Sequence, residues 1–146
     1  MSSNLSGNHI RLEIDARAEN VHLARTMSTA FITPLDPTVG EISDIKTAVS
    51  EAVTNAVIHG YGEKPGVVCI SLASSGKKIT IEIADIGVGI ENIENAREPL
   101  FTTKPEMERS GLGFTVMESF MDEVRVKSTP GAGTTITMIK TLGATQ

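Results

Sequence analysis

The chain has 146 residues, 40% of them hydrophobic and 21% charged, which describes one globular domain with a real core and excludes a disordered chain. A net charge of -5 and a pI near 5.2 argue against a protein that grips nucleic-acid backbones, and 3% aromatic residues leave no platform for stacking bases. The single cysteine, Cys69, excludes an internal disulfide and a multi-cysteine metal site, and no apolar run reaches membrane-spanning length.

In chain order, MSSNLSGNHI is polar and carries no hydrophobic signal region, so a cytoplasmic protein with a flexible tail over residues 1–8 is expected. HIRLEID sets Ile10, Leu12 and Ile14 against charged neighbours, the alternation of a half-buried strand, and Asp15 is placed to cap the helix after it. Val21, Leu23, Ala24, Met27 and Phe31 recur at helical spacing until the two prolines of TPLDPT break the helix. Thr38 with Glu41 has the capping-box pattern and predicts a second helix from about Val39 to His59, stopped by a C-terminal glycine, Gly60. GVVCISLAS and KKITIEIAD alternate at period two around a Ser-Gly turn and predict a hairpin, with Cys69 as a buried structural thiol. From Glu91 to Ser110 the chain is polar, contains Pro99 and Pro105 and holds no period; so long a loop in a compact domain is usually functional or disordered. GLGFTVMESFMDEV returns to helical spacing at Leu112, Val116, Met117, Phe120 and Met121, and VRVKST and GTTITMIKT form a second hairpin. The order is that of a two-layer α/β sandwich, with helices on one face of a mixed, mostly antiparallel sheet.

Three places carry chemistry. In SEAVTNAVIHG the apolar stripe Ile42, Ile45, Val49, Ala52, Val53 and Ala56 has Glu51 and Asn55 on its edge, one turn apart, with His59 beside them. An amide oxygen and a carboxylate so spaced suit a hard cation and a nearby hydroxyl. An exposed Glu–Asn pair is the plain alternative, and a capping or packing role is the plain reading of His59. DIGVG, with Asp85, Gly87 and Gly89, comes directly after a strand, and GLG, with Gly111 and Gly113, opens the third helix. Asp85 can accept a hydrogen bond from an exocyclic amine such as that of adenine, and a helix N-terminus with glycines offers amides to phosphate. Alone, each glycine pair reads as a turn or as helix-start packing. Neither the G-x-G-x-x-G nor the G-x-x-x-x-G-K-[ST] pattern is present.

Together EAVTNAVIHG, DIGVGI and GLGF resemble the nucleotide-binding boxes shared by gyrase, Hsp90, histidine kinases and MutL. VSEAVTNAVIHGY, PLFTTKPEMERSGLGF and MESFMDEV extend the likeness, from LEIDARAEN to GTTITM, and resemble the anti-sigma F factors of endospore-forming bacteria, which are protein serine kinases. That resemblance implies a Bergerat-type ATP-binding fold, magnesium held by Asn55 and Glu51 as the general base for a serine hydroxyl. It implies Asp85 on the adenine amine, Gly87 and Gly89 in the turn, Thr135 near the adenine, and Gly111 and Gly113 bringing amides to the phosphates. Residues 91–110 would be an ATP lid. Thr103, Lys104 and Arg109 are its candidate phosphate contacts, the two cations because they stand nearest the glycine hinge. Ile86 stands where the family commonly has an acidic residue.

The resemblance further implies a homodimer that binds sigma factor F and phosphorylates an anti-anti-sigma factor, with no direct contact to nucleic acid or membrane. Arg17, His22 and Arg25 share a polar helix face, and Arg25, in ENVHLAR, is the preferred partner contact over a merely solvated side chain. The competing readings are a stress-response anti-sigma kinase, an ATP-gated binding module that would not need Glu51, and a histidine-kinase catalytic domain. The last needs a helical dimerisation domain for which 146 residues leave no room.

Overall fold

A computed structural model describes residues 7–62, 64–86 and 105–143, the side chains of 105–112 excepted. Strands β1 (Gly7–Asp15), β2 (Val67–Ser75), β3 (Lys78–Asp85), β4 (Glu123–Thr129) and β5 (Gly133–Thr141) form one sheet in the order β1-β2-β3-β5-β4. All four pairings are antiparallel, so the expected mixed sheet contains no parallel pair among the described residues. Helices α1 (Asn20–Ile32), α2 (Val39–Thr54) and α3 (Pro105–Phe120) form the second layer, with α2 packed between the other two.

Period-two alternation decides which face the helices cover. Val68, Ile70 and Leu72 of β2, Ile79, Ile81 and Ile83 of β3, and Ile136 and Met138 of β5 are buried in one cluster with Ile45, Val49, Ala52 and Val53 of α2. At about 25 cal/mol per Å² of apolar surface, this stripe is the main favourable term holding helix to sheet. Cys69 has the opposite parity. It lies half-buried on the other face, across from Glu13, and is not the fully buried thiol expected.

Several boundaries differ from the sequence reading. Gly7 and Asn8 pair with Ser75 and Ser74, so the strand takes two residues assigned to the tail. Asp15 caps nothing with its carboxylate; its carbonyl accepts from the Asn20 amide at 2.9 Å, and α1 starts without a side-chain cap. Helix α3 starts at Pro105, six residues before the glycines and inside the segment read as a loop. A proline fits the first turn, where its missing N–H has no intrahelical partner to lose. The rest of that segment, 91–104, lies outside the described residues.

Candidate functional site

Helix α2 is fixed at its start by the capping box. Glu41 N–H donates to Thr38 Oγ1 at 3.1 Å, and Thr38 N–H donates to Glu41 Oε1 at 2.9 Å. From Asn55 to Gly60 the backbone widens into a π-helical turn, a rare form that recurs at functional sites. Asn55 stands at the junction, one turn after Glu51, and both are half-buried. The Asn55 Nδ2 is buried and has no hydrogen-bond partner among the described residues. A buried amide without a partner costs about 1–3 kcal/mol, so its retention points to a ligand.

Gly113 of α3 faces this pair. A Cβ there would stand 3.2 Å from Glu51 Oε1 and 3.4 Å from Asn55 Nδ2. Gly111 and Gly113 lie within α3, not at its first turn. Their amides therefore belong to the helical ladder, and what Gly113 supplies is room beside the carboxylate and amide. Arg109 lies in α3 too, its side chain outside the described set, and Gly87, Gly89, Thr103 and Lys104 fall outside the described residues altogether.

A pocket opens past Asn55, lined by His59, Gly60, Asp85, Phe114 and Thr134, with Ala52, Ala56, Ile83 and Ile136 as its apolar wall. Asp85 ends β3 on the core face and is buried. Gly60 matters here for close approach: a Cβ would lie 2.9 Å from the Asp85 Cγ. The helical turn ends at Gly60 as read from the sequence, and positive φ follows at Gly62.

Across the sheet from Asp85 is Thr134, and beyond it Ser128. Ser128 Oγ donates to the Gly133 carbonyl at 3.1 Å, so in its 2.8 Å bond with Thr134 the threonine is the donor. Thr134 lines the pocket, and Thr135, of the opposite parity, does not. The burial of Ile136 and Met138 on the core face was the available signal. Gly133, at φ +107, was also missed; a side chain there would collide with the Asp85 carbonyl.

Among the described residues no group of three His, Cys, Asp or Glu side chains could hold a metal. A donor set built around Asn55 suits magnesium, which commonly takes few protein oxygens and completes its shell with water and phosphate. The unpartnered Asn55 Nδ2 beside Glu51 is a donor that suits a phosphate oxygen, the Asn55 Oδ1 is the oxygen that would hold the ion, and Gly113 leaves room beside both. Arg25 lies elsewhere. It is half-buried, its guanidinium is 3.4 Å from His22 Nδ1, and it lines a groove between α1 and α2.

The family model described as "Histidine kinase-like ATPase domain" matches residues 14–140. A protein named "Anti-sigma F factor" from Thermoanaerobacter sp. (strain X514) is 56% identical over 137 residues, 94% of this chain and 96% of that protein. One of the same name from Clostridium acetobutylicum is 55% identical over 133 residues, 91% and 93% of the two chains. The crystal structure of the RsbU and RsbW domains of Rv1364c from Mycobacterium tuberculosis shares the fold at a TM-score of 0.65 and 22% identity, covering 92% of this chain and 32% of that one. With this kinase-type ATPase fold and this identity along nearly its whole length, the chain belongs to the histidine kinase-like ATPase domain family and, within it, to the anti-sigma F factors.

Proposed function

We propose that the protein binds and inhibits the sporulation sigma factor F and uses ATP with magnesium to phosphorylate a serine of its anti-anti-sigma antagonist, working as a homodimer in the cytoplasm. The observation that supports the catalytic part is the buried Asn55 Nδ2, a donor without a partner among the described residues and so open to a phosphate oxygen, one turn from Glu51, both residues facing Gly113. Asp85 accepts from the adenine amine, with Thr134 next to it. Asn55 would hold the magnesium, which when bound neutralises phosphate charge. Glu51 takes the proton of the serine hydroxyl; the serine oxygen receives the γ-phosphoryl group and ADP leaves. Thr103, Lys104 and Arg109 are the proposed phosphate contacts, with Gly87 and Gly89 in the turn after Asp85.

The test is Glu51→Gln, which keeps shape and removes the basic oxygen. A positioned general base contributes roughly 10²–10⁴-fold, so radiolabelled phosphate transfer to the antagonist should fall by that factor. ATP and sigma-factor binding should be retained in the same sample. Near wild-type transfer would show that Glu51 is not the base. Loss of ATP binding as well would assign the carboxylate to holding the metal site together.

A further inference from the structure

Tyr61 comes directly after the π-helical turn, and its ring sits where a Cβ on Gly66 would be, so the glycine is the seat of the ring. Its hydroxyl makes two bonds. It donates to the Val67 carbonyl at 2.6 Å, at the start of β2, and accepts from the Ile86 N–H at 3.0 Å. A phenol has one proton, and that proton is committed to Val67, so the Ile86 amide is received on a lone pair. Ile86 is the residue after Asp85. The residue before Tyr61 is Gly60, against which the Asp85 carboxylate lies. Two consecutive residues at the end of the Asn55 turn therefore touch two consecutive residues at the end of β3.

We propose that Tyr61 is a positioning residue for base recognition: by holding the Ile86 amide it fixes where the chain leaves β3 and so aims the Asp85 carboxylate at an exocyclic amine. The Ile86 N–H belongs to the peptide group that follows the Asp85 Cα, so the Tyr61 bond restrains the backbone at the point from which that carboxylate projects. The same side chain ties the helix end that bears Asn55 to the strand end that bears Asp85, so base and phosphate sites keep a fixed separation. This rests on the nucleotide reading of the pocket.

The experiment compares ATP with ITP, whose base has an oxo group where adenine has the amine, by calorimetric titration of the full chain. Tyr61→Phe keeps the ring on Gly66 and loses both bonds. We expect its preference for ATP over ITP to fall by roughly 3- to 10-fold, the size of one net hydrogen bond, through weaker ATP binding. Gly66→Ala displaces the ring without altering the hydroxyl and should flatten the preference in the same direction. A purely structural role would weaken both nucleotides equally, and an unchanged ATP/ITP ratio in both variants overturns the proposal. If the wild-type chain binds neither nucleotide, the reading of the pocket fails, and this inference with it. If the wild type prefers ATP and only the variants leave the ratio intact, Tyr61 alone is wrongly assigned.

Discussion

Asn55 has a role that its surroundings do not satisfy. Its amide is buried beside Glu51 with Nδ2 unbonded, so the folded protein carries a desolvation cost that a ligand would relieve. Asn55→Ala removes that cost and introduces a better helix former. Magnesium-dependent ATP affinity should drop at least about tenfold, or about 1.4 kcal/mol, while the melting temperature without nucleotide holds or rises. Unchanged affinity by calorimetry would reject the assignment. The two threonines after Gly133 give a second residue-level contrast. Thr134→Ala should weaken ATP binding and Thr135→Ala should not, because strand parity puts only Thr134 in the pocket. Equal losses in the two titrations would contradict that parity. Sequence spacing brought Glu51, Asn55 and Asp85 to notice because each is a polar residue where an apolar one would serve. The contact of Gly60 with Asp85, and Tyr61 and Gly133 altogether, escaped because what these residues do is leave room for, or bond to, residues distant in the chain, and no local pattern encodes such a contact.

At the scale of elements, both ends of the second helix were legible, Val39 and the stop at Gly60, and the π form of its last turn was not. The Thr38–Glu41 capping box is a local signature and forms as read. The π turn at Asn55–Gly60 has no such signature: the same residues fit a continuous α-helix, and packing of Gly60 on Asp85 accompanies the change. Helix α3 was read too short for a related reason. Pro105 was weighed as a breaker, although at a first turn it is compatible with a helix. Glu41 does more than cap. Its second oxygen accepts from the Gly143 N–H at 2.7 Å, tying the turn after β5 to the start of α2. The Thr38 backbone N–H, and then that of Gly143, hold its carboxyl below the ordinary value of 4.5. A depressed carboxylate stabilises the fold above its unfolded pKa, and that stabilisation is lost as pH falls through the folded value. Urea midpoints should therefore decline below about pH 4.5, and Glu41→Gln should flatten this acid limb. An identical decline in the variant would remove Glu41 from the account. Thr38→Ala should cost about 1 kcal/mol in the same titration at neutral pH.

For the whole molecule, the two-layer architecture was legible from alternation in three of the strands and from one apolar helix stripe, because a half-buried sheet face must find a helical layer to cover it. The absence of parallel pairs among the described residues was less legible, since strand order depends on connections and not on side-chain period. Partner binding lies further still from local pattern, and charge is the guide to it. The chain carries a net charge of -5, yet the groove between α1 and α2 is lined by Arg25 and Lys46, with Val39, Ile42, Ser43, Thr47 and Ser50 and, among the described residues, no carboxylate. A positive groove on a negative protein favours an acidic partner segment and would make its association sensitive to salt. Arg25 does not line the pocket between Asn55 and Asp85. Arg25→Ala should therefore weaken sigma-factor or antagonist binding by about tenfold, with less dependence on ionic strength, and leave ATP affinity unchanged. The measurement is a pair of calorimetric titrations at low and moderate salt, with nucleotide affinity taken on the same preparation. If both partner affinities stay at wild-type values, the docking surface lies on another face. If ATP affinity falls together with them, Arg25 acts through the fold and not through the interface.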